Sequence, residues 1–435
     1  MNATSSRTWR AIPPWRRLRA LGLLLPLCWG LNAWPDAARP PAPATLSLAQ
    51  ALAQSWARDP MASALQARLN EAQAGVALAG QLTPGPASIS LNHLSDRLNQ
   101  NQGRREWELE WATPMWLPGQ QAARQRSAEQ ALADIDARLN ERRLQLAGEL
   151  REAWWRLALA QAGSALARRR VQTAQALEQD VQKRWRSGDL ARLDANLASA
   201  ERLSAEAEAL EAAGVVRQAA SALQALTGQA PPLVALWGPP VPQAEPDPQP
   251  DAPLTDTHPQ LQALRSTADL AASRVALVDA SRRDAPELAL RWTTQRGDAL
   301  NPYDQAVGIK LTLPLSSSDR VRQDSAGARA ELNQAEQELT LTRERLQQAV
   351  RDTQAELATA QQQLAMATQR QALTAENLRL TQRAFDLGEQ DLATLLRARA
   401  ADHEAQAVLQ RQHIHRHATV SRLRQAQGLL PETQP

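Results

Sequence analysis

The sequence predicts a mostly α-helical fold with a small β part, built as an internal two-fold repeat. The first observation is a fixed offset of 200 residues at which turn-forming and apolar residues recur. The matched positions include Gly188 with Gly388, Gly228 with Gly428, Pro114 with Pro314, and Leu139 with Leu339. The second observation is a long heptad pattern, and the third is a set of short alternating stretches. Together they predict two copies of one unit that contains both long helices and short strands.

Composition favours long helices over a thick aromatic core. The chain of 435 residues has 13 Trp but only one Phe and one Tyr. Ala, Leu, Gln, Arg and Glu dominate, and these are the strongest helix formers.

The N-terminal residues 1–33 have the pattern of a secretory signal. Five arginines precede the apolar run Leu21–Leu31, and no acidic residue lies before Asp36. The run is shorter than the ~20 residues that a membrane-spanning helix needs, so we expect cleavage near Ala33. Cleavage would remove the only cysteine, Cys28, and leave 44 basic against 46 acidic residues. A mature chain so close to neutrality does not call for nucleic acid as a partner.

Each copy is predicted to contain a helix, two strands, a very long helix, a glycine turn and a further helix. The first copy spans 34–230, with a helix at about 46–82, strands at 87–93 and 105–115, a long helix at 120–186 and a helix at 190–226. The second copy spans 258–430, with a helix at about 258–283, strands at 287–294 and 305–315, a long helix at 320–387 and a helix at 391–429. Prolines mark where the strands begin or end. The Pro-rich segment 231–257 joins the copies as a stiff, extended crossover.

The first long helix carries an apolar residue at every seventh position. The set is Leu132, Leu139, Leu146, Ala153, Ala160, Ala167, Ala174 and Val181. A sustained heptad predicts side-by-side packing and supercoiling against neighbouring helices. A helix of ~67 residues spans ~100 Å at 1.5 Å per residue, a length that suits the wall of a tube better than a globular domain.

The strands predict one polar and one apolar face. Glu106, Glu108 and Glu110 alternate with Trp107, Leu109 and Trp111, and Val307, Ile309 and Leu311 alternate with small or polar residues, among them Lys310. A water-filled lumen would solvate the carboxylates and the lysine, while the tryptophans and aliphatic residues would face lipid. The carboxylates then form either charge rings that favour cations or a generally solvated lumen wall.

Four strands cannot close a barrel of this kind, because bacterial outer-membrane barrels begin at about eight strands. An open strand edge cannot face lipid either. We therefore expect a homotrimer whose strands, about 12 in all, form one outer-membrane β-barrel above a long α-helical coiled-coil barrel. The alternative is a soluble periplasmic coiled-coil scaffold or adaptor protein. That alternative explains the heptads and the signal but not the four strands with a lipid-type alternation.

Several short motifs, in their order along the chain, resemble those of the TolC-like outer membrane efflux factors. The resemblance covers nearly all of the mature chain. The motifs are Leu46–Gln54 with Asp59-Pro60, Thr113–Gln120, Arg184–Leu190, Ala235–Gly238 and His258–Leu261. The motifs most similar to the cobalt–zinc–cadmium efflux branch are Val275–Val278, Asp284–Leu288, Leu313–Leu315 and Leu387–Leu392. Ser316-Ser317-Ser318 departs from that branch, which usually has a Phe and a polar turn there.

The resemblance implies a passive, trimeric export duct in the outer membrane, with heavy-metal cations as the cargo of that branch. It also implies two protein partners: an inner-membrane pump of the resistance-nodulation-division type, which supplies energy, and a periplasmic adaptor that joins pump to duct. The two glycine turns would form the periplasmic tip. Adaptor contact is therefore expected at Arg184, Gly188, Asp189, Gly388 and Glu389.

Two further groups of residues have competing interpretations. Asp189, Asp386 and Asp391 either pair across helices and hold the tip closed as a gate, or are ordinary surface charges at helix ends. His413 and His417 lie one helical turn apart, a spacing that can chelate a divalent ion. No Cys or nearby carboxylate completes that set, so a solvated helix surface is favoured. We find no nucleophile–base pair, phosphate-binding loop or paired acid in a cleft, and we predict neither catalysis nor a cofactor.

Overall fold

A computed structural model describes residues 47–99, 101–230, 245–247 and 253–432, all within the compact unit Thr45–Pro435. The predicted signal and most of the predicted crossover lie outside the described residues. The elements in chain order are α1 (Leu48–Trp56), α2 (Pro60–Ala79), β1 (Ser88–Ser95), β2 (Arg105–Pro114), α3 (Gln120–Arg186), α4 (Arg192–Thr227), α5 (Pro259–Ala280), β3 (Glu287–Arg296), β4 (Asp304–Thr312), α6 (Ser318–Asp386) and α7 (Leu392–Ala426). The predicted class, mostly α with a small β part, is confirmed. Within the described ranges, no helix has both the length and the apolar character needed to cross a membrane.

The predicted first helix, at about 46–82, is wrong as a single element, because it is divided into α1 and α2. Pro60 is the first residue of α2, and proline cannot continue a preceding helix since it lacks the backbone N–H and its ring clashes with the turn before it. Asp59 caps the new helix by accepting a hydrogen bond from the backbone N of Ala62 at 3.0 Å. Arg142 of α3 donates to the same carboxylate at 2.9 and 3.0 Å, and this holds the pKa of Asp59 below its usual range.

The predicted strand at 305–315 is too long. In the structure β4 ends at Thr312, before Pro314, which has no N–H to donate to a neighbouring strand. The long helix that follows begins at Ser318 rather than at residue 320, because the side chain of Ser317 caps it by accepting from the backbone N of Arg320 at 3.2 Å.

The helices pack side by side around the two long ones. α3 packs against α2 and α4 on one side and against α5 and α7 on the other, and α6 packs against α5 and α7. Near the sheet the order is therefore α2, α3, α5, α6, and towards the hairpin turns it is α4, α3, α7, α6. One edge of the molecule consists of α2 and α4, and the other edge consists of α6.

The core lies along α3 and includes most of its heptad positions. The six residues from Leu146 to Val181 in the heptad set are buried, and Leu132 and Leu139 are half-buried. The largest cluster lies where α1 and the ends of α4 and α7 meet the middle of α3, around Leu150 and Leu157. A second cluster lies at the hairpin end, around Val181 and Phe385. The apolar seam of α3 therefore contacts different partners along its length.

The four strands form one antiparallel sheet in the order β1-β2-β3-β4. In its central row Leu109 of β2 lies opposite Leu91 of β1 and Trp292 of β3, which lies opposite Val307 of β4. The pairing of β2 with β3 joins the two halves of the chain.

Candidate functional site

One face of the sheet is a continuous apolar band. Its members lie opposite one another in the observed register, and each is exposed: Ile89, Leu91, Trp107, Leu109, Trp111, Leu288, Leu290, Trp292, Val307, Ile309 and Leu311. This band includes all six residues that the sequence predicts to face lipid. A contiguous exposed apolar surface of this kind marks a contact with lipid or with another protein.

The opposite face of the sheet carries charges of both signs. The Arg291 guanidinium lies 2.8 Å from a carboxylate oxygen of Glu108 and 2.7 Å from one of Glu110, and Lys310 Nζ lies 3.5 Å from Glu110. Glu106 belongs to the same face and lies opposite Gln295. Sequence reasoning missed Arg291, although the alternation of Leu290 and Trp292 around it was a usable signal. This face is therefore a mixed ionic ladder rather than a row of unpaired carboxylates.

At the other end of the long helices, two hairpin turns share one geometry. Gly188 and Gly388 have φ values of +89° and +80°, and residues with a Cβ atom rarely adopt such values. After each glycine the next backbone N–H reaches back to close the helix end: Asp189 N donates to Arg184 O at 2.8 Å, and Glu389 N donates to Ala384 O at 2.9 Å. This bond pattern is a Schellman motif, which satisfies the last carbonyls of α3 and α6.

Side-chain packing joins the two hairpins. The Arg184 guanidinium lies 4.9 Å from the ring centroid of Phe385, which is 2% exposed. A guanidinium over an aromatic face is attractive at this distance. Trp185 and Leu387 lie beside the two turns and stay exposed. The tip therefore offers apolar and cationic groups together.

The three gate candidates bond within their own hairpins. Asp189 accepts from Ser187 Oγ at 2.9 Å, and Asp386 accepts from Gln382 Nε2 at 2.9 Å. Asp391 caps α7 by accepting from the backbone N of Thr394 at 2.8 Å. Hydrogen bonds from the Thr394 side chain and backbone hold the pKa of Asp391 below its usual range.

The two candidate histidines lie on α7, away from the tip. His417 is half-buried with its ring stacked on Trp155 at 5.9 Å, and burial lowers the pKa of His417. His413 is also half-buried, one turn earlier. Across the ranges that the structure describes, no group of three or more His, Cys, Asp or Glu side chains could hold a metal ion.

Comparisons with solved structures identify the fold. Neither models of known protein families nor curated protein sequences match the chain. The outer membrane protein VceC from Vibrio cholerae superposes with a TM-score of 0.71 at 20% identity, covering 88% of this chain and 97% of VceC. The CmeC outer membrane channel of Campylobacter jejuni gives 0.69 at 14% identity, covering 89% of this chain and 87% of CmeC. The open state of the MtrE outer membrane channel of Neisseria gonorrhoeae gives 0.69 at 16% identity, covering 89% of this chain and 91% of MtrE. The chain has the fold of these outer membrane channel proteins over nearly their whole length.

Proposed function

We propose that the protein is the outer-membrane channel of a tripartite efflux system, a passive duct from the periplasm to the exterior. The observation that carries this proposal is the two-faced sheet. Its apolar band suits lipid and its ionic face suits a water-filled lumen, which is the division that a transmembrane β-barrel requires. The 67 residues of α3 extend the chain by ~100 Å beyond the sheet. The shared fold with outer membrane channels supports the same function.

The free edges of the sheet support a homotrimer. In the part of the chain that the structure describes, β1 and β4 each have a partner strand on one side only. An unpaired edge cannot persist in lipid. β1 and β4 run in opposite directions, so β4 of one copy can pair with β1 of the next in the antiparallel pattern of the whole sheet. Three copies would close a barrel of about 12 strands.

The helical edges support the same assembly. On α6 and its C-cap residue Leu387, the exposed residues Met366, Leu373, Leu380 and Leu387 follow each other at intervals of seven. On α4, Leu203 and Leu210 are exposed at the same interval. A heptad seam that is left exposed on a long helix is typical of a surface that packs against another helix. The α6 edge of one copy can therefore pack on the α2 and α4 edge of its neighbour.

The proposed partners follow from the resemblance to the TolC-like outer membrane efflux factors. A periplasmic adaptor would contact Arg184, Gly188, Asp189, Gly388 and Glu389, and a resistance-nodulation-division pump in the inner membrane would supply energy through it. Heavy-metal cations are the cargo that we propose, from the motifs most similar to the cobalt–zinc–cadmium branch. A soluble scaffold is disfavoured, since it would leave the apolar band in water.

Cell fractionation tests the proposed function. We expect trimers that resist detergent in the outer-membrane fraction, because closure of a barrel removes every strand edge. A monodisperse protein released by osmotic shock without detergent would contradict the proposal.

The gate at the tip is a separate prediction. If Asp189 or Asp386 also pairs across helices in the trimer, Asp189→Asn or Asp386→Asn should increase passive uptake of a large antibiotic. Glu211→Gln, on α4 away from the hairpin turns, is the matched control for loss of one carboxylate. Unchanged uptake in variants that still assemble as trimers would argue against this gate.

A further inference from the structure

Two arginines lie directly opposite each other beyond the apolar band. Arg105 of β2 pairs with Arg296 of β3. This pair lies two residues beyond the pair of Trp107 and Thr294 and is the next row on the same face of the sheet. Since alternate residues share a face, Arg105 lies on the side of Trp107, Leu109 and Trp111, and Arg296 lies on the side of Trp292. The pair is therefore on the membrane side of the sheet, at the end that is farther from the helices.

Like charges directly opposite each other destabilise a strand pair unless a counter-charge is present. Among the described residues, no carboxylate lies within ion-pair distance of Arg105 or Arg296. The nearby acids have other roles: Asp96 accepts from Gln102 N at 2.8 Å, and Asp298 accepts from Leu300 N at 2.8 Å. Asp304 lies opposite Gln295, on the other face of the sheet. A counter-charge for this pair would therefore come from another molecule.

The Arg296 guanidinium is held in place by the loops at this end. Its Nε donates to Gly103 O at 3.0 Å, and its Cζ lies 5.0 Å from the ring centroid of Tyr303. The loop between β1 and β2 contacts the loop between β3 and β4, because Ala299 N donates to Gln102 O at 3.0 Å. The contact is close at Gly103, where a Cβ would lie 2.6 Å from Ala299 N. No hydrogen bond within the described ranges uses the Nη atoms of Arg296, and these donors are available to a ligand.

We propose that Arg105 and Arg296 bind the phosphate-bearing headgroup of an anionic lipid in the outer leaflet. Guanidinium and phosphate form strong, charge-assisted hydrogen bonds with matched geometry. The row between the pair and the aliphatic band contains Trp107 with His93 stacked on it at 4.0 Å, and aromatic residues of this kind lie at the headgroup level of membranes. The inference rests on the proposed function, which places the strands in a membrane.

Lipid nanodiscs test this site. The purified protein is placed in nanodiscs of phosphatidylcholine, with or without phosphatidylglycerol, and its melting temperature is measured. For the wild type we expect phosphatidylglycerol to raise the Tm by about 2 °C or more. The gain should shrink in high salt, because exposed charges are screened beyond about 10 Å at 0.1 M. The Arg105→Gln/Arg296→Gln double variant should lose the gain.

The matched control is Arg329→Gln/Arg345→Gln, which removes two exposed arginines of α6 that have no ion pair within the described ranges. This control should keep the gain. An equal gain in Arg105→Gln/Arg296→Gln would overturn the proposal. Inorganic phosphate is added to the protein in phosphatidylcholine nanodiscs as a further control. A rise in Tm as large as that from phosphatidylglycerol would overturn the assignment to a lipid. If the wild-type protein inserts into the bilayer but has the same Tm with and without phosphatidylglycerol, this inference alone is overturned. If the protein does not insert into the bilayer, the proposed function is overturned as well.

Discussion

Arginine at position 292 is expected to remove the protein from the outer membrane, whereas arginine at position 293 is expected to be tolerated. Trp292 lies in the central row of the apolar band, between Leu109 and Val307. Arginine on the lipid face of a barrel costs about 2–4 kcal/mol at the bilayer midplane. That is a loss of roughly 30-fold or more in the folded population. Thr293 lies on the ionic face, opposite Glu108, where a new guanidinium meets water and a carboxylate.

The two variants are compared by the amount of detergent-resistant trimer in the outer-membrane fraction. We expect little trimer for Trp292→Arg and a level close to wild type for Thr293→Arg. Both variants introduce arginine, at neighbouring positions of β3, so general effects of an arginine on a central strand are matched. Equal losses in both variants would contradict the assignment of faces. Normal levels of Trp292→Arg in a fraction that needs no detergent would favour the soluble scaffold.

The faces of the strands were predictable because the side-chain period of two is a local property. The alternation at 106–111 separates Trp107 from Glu108 without knowledge of any other strand. The ionic ladder was not predictable in the same way. Arg291 and Glu110 are 181 residues apart, and only the pairing of β2 with β3 brings them together. A pattern within one strand indicates which face a residue occupies, but not the charge that it meets there.

The heptad of α3 shows the same limit. It predicts a buried seam, and Leu146 and Val181 are buried. It does not predict that α1 contacts this seam, because nothing local to α3 encodes its partners. The break between α1 and α2 had a local signal in Asp59-Pro60. The apolar residues on both sides favoured one long helix, and the proline overrode that preference.

A buried ion pair near the middle of α3 was outside the reach of sequence patterns. Arg151 donates to Glu245 at 2.9 and 2.6 Å, and the two side chains are 3% and 5% exposed. Arg424 of α7 lies 3.4 Å from the same carboxylate. One acid from the predicted crossover thus neutralises arginines from two helices. The crossover is therefore fixed to α3 and α7 at this point.

Glu245→Ala is expected to destabilise the protein by about 3–5 kcal/mol, because it leaves the buried Arg151 without a counter-charge, whereas Arg424 keeps Glu432 at 2.7 Å. Asp247→Ala is the matched control, since it makes the same kind of truncation two residues away. Asp247 pairs with Arg416 at 2.5 Å but is 61% exposed, and exposed pairs contribute about 0–1 kcal/mol. The shift in the urea midpoint of the purified protein measures both effects. A second test is Arg151→Met/Glu245→Leu, which should recover much of the loss, since replacing both partners by apolar residues removes the unpaired charge. Similar midpoints for Glu245→Ala and Asp247→Ala would mean that water reaches Arg151 and that the pair does not fix the crossover.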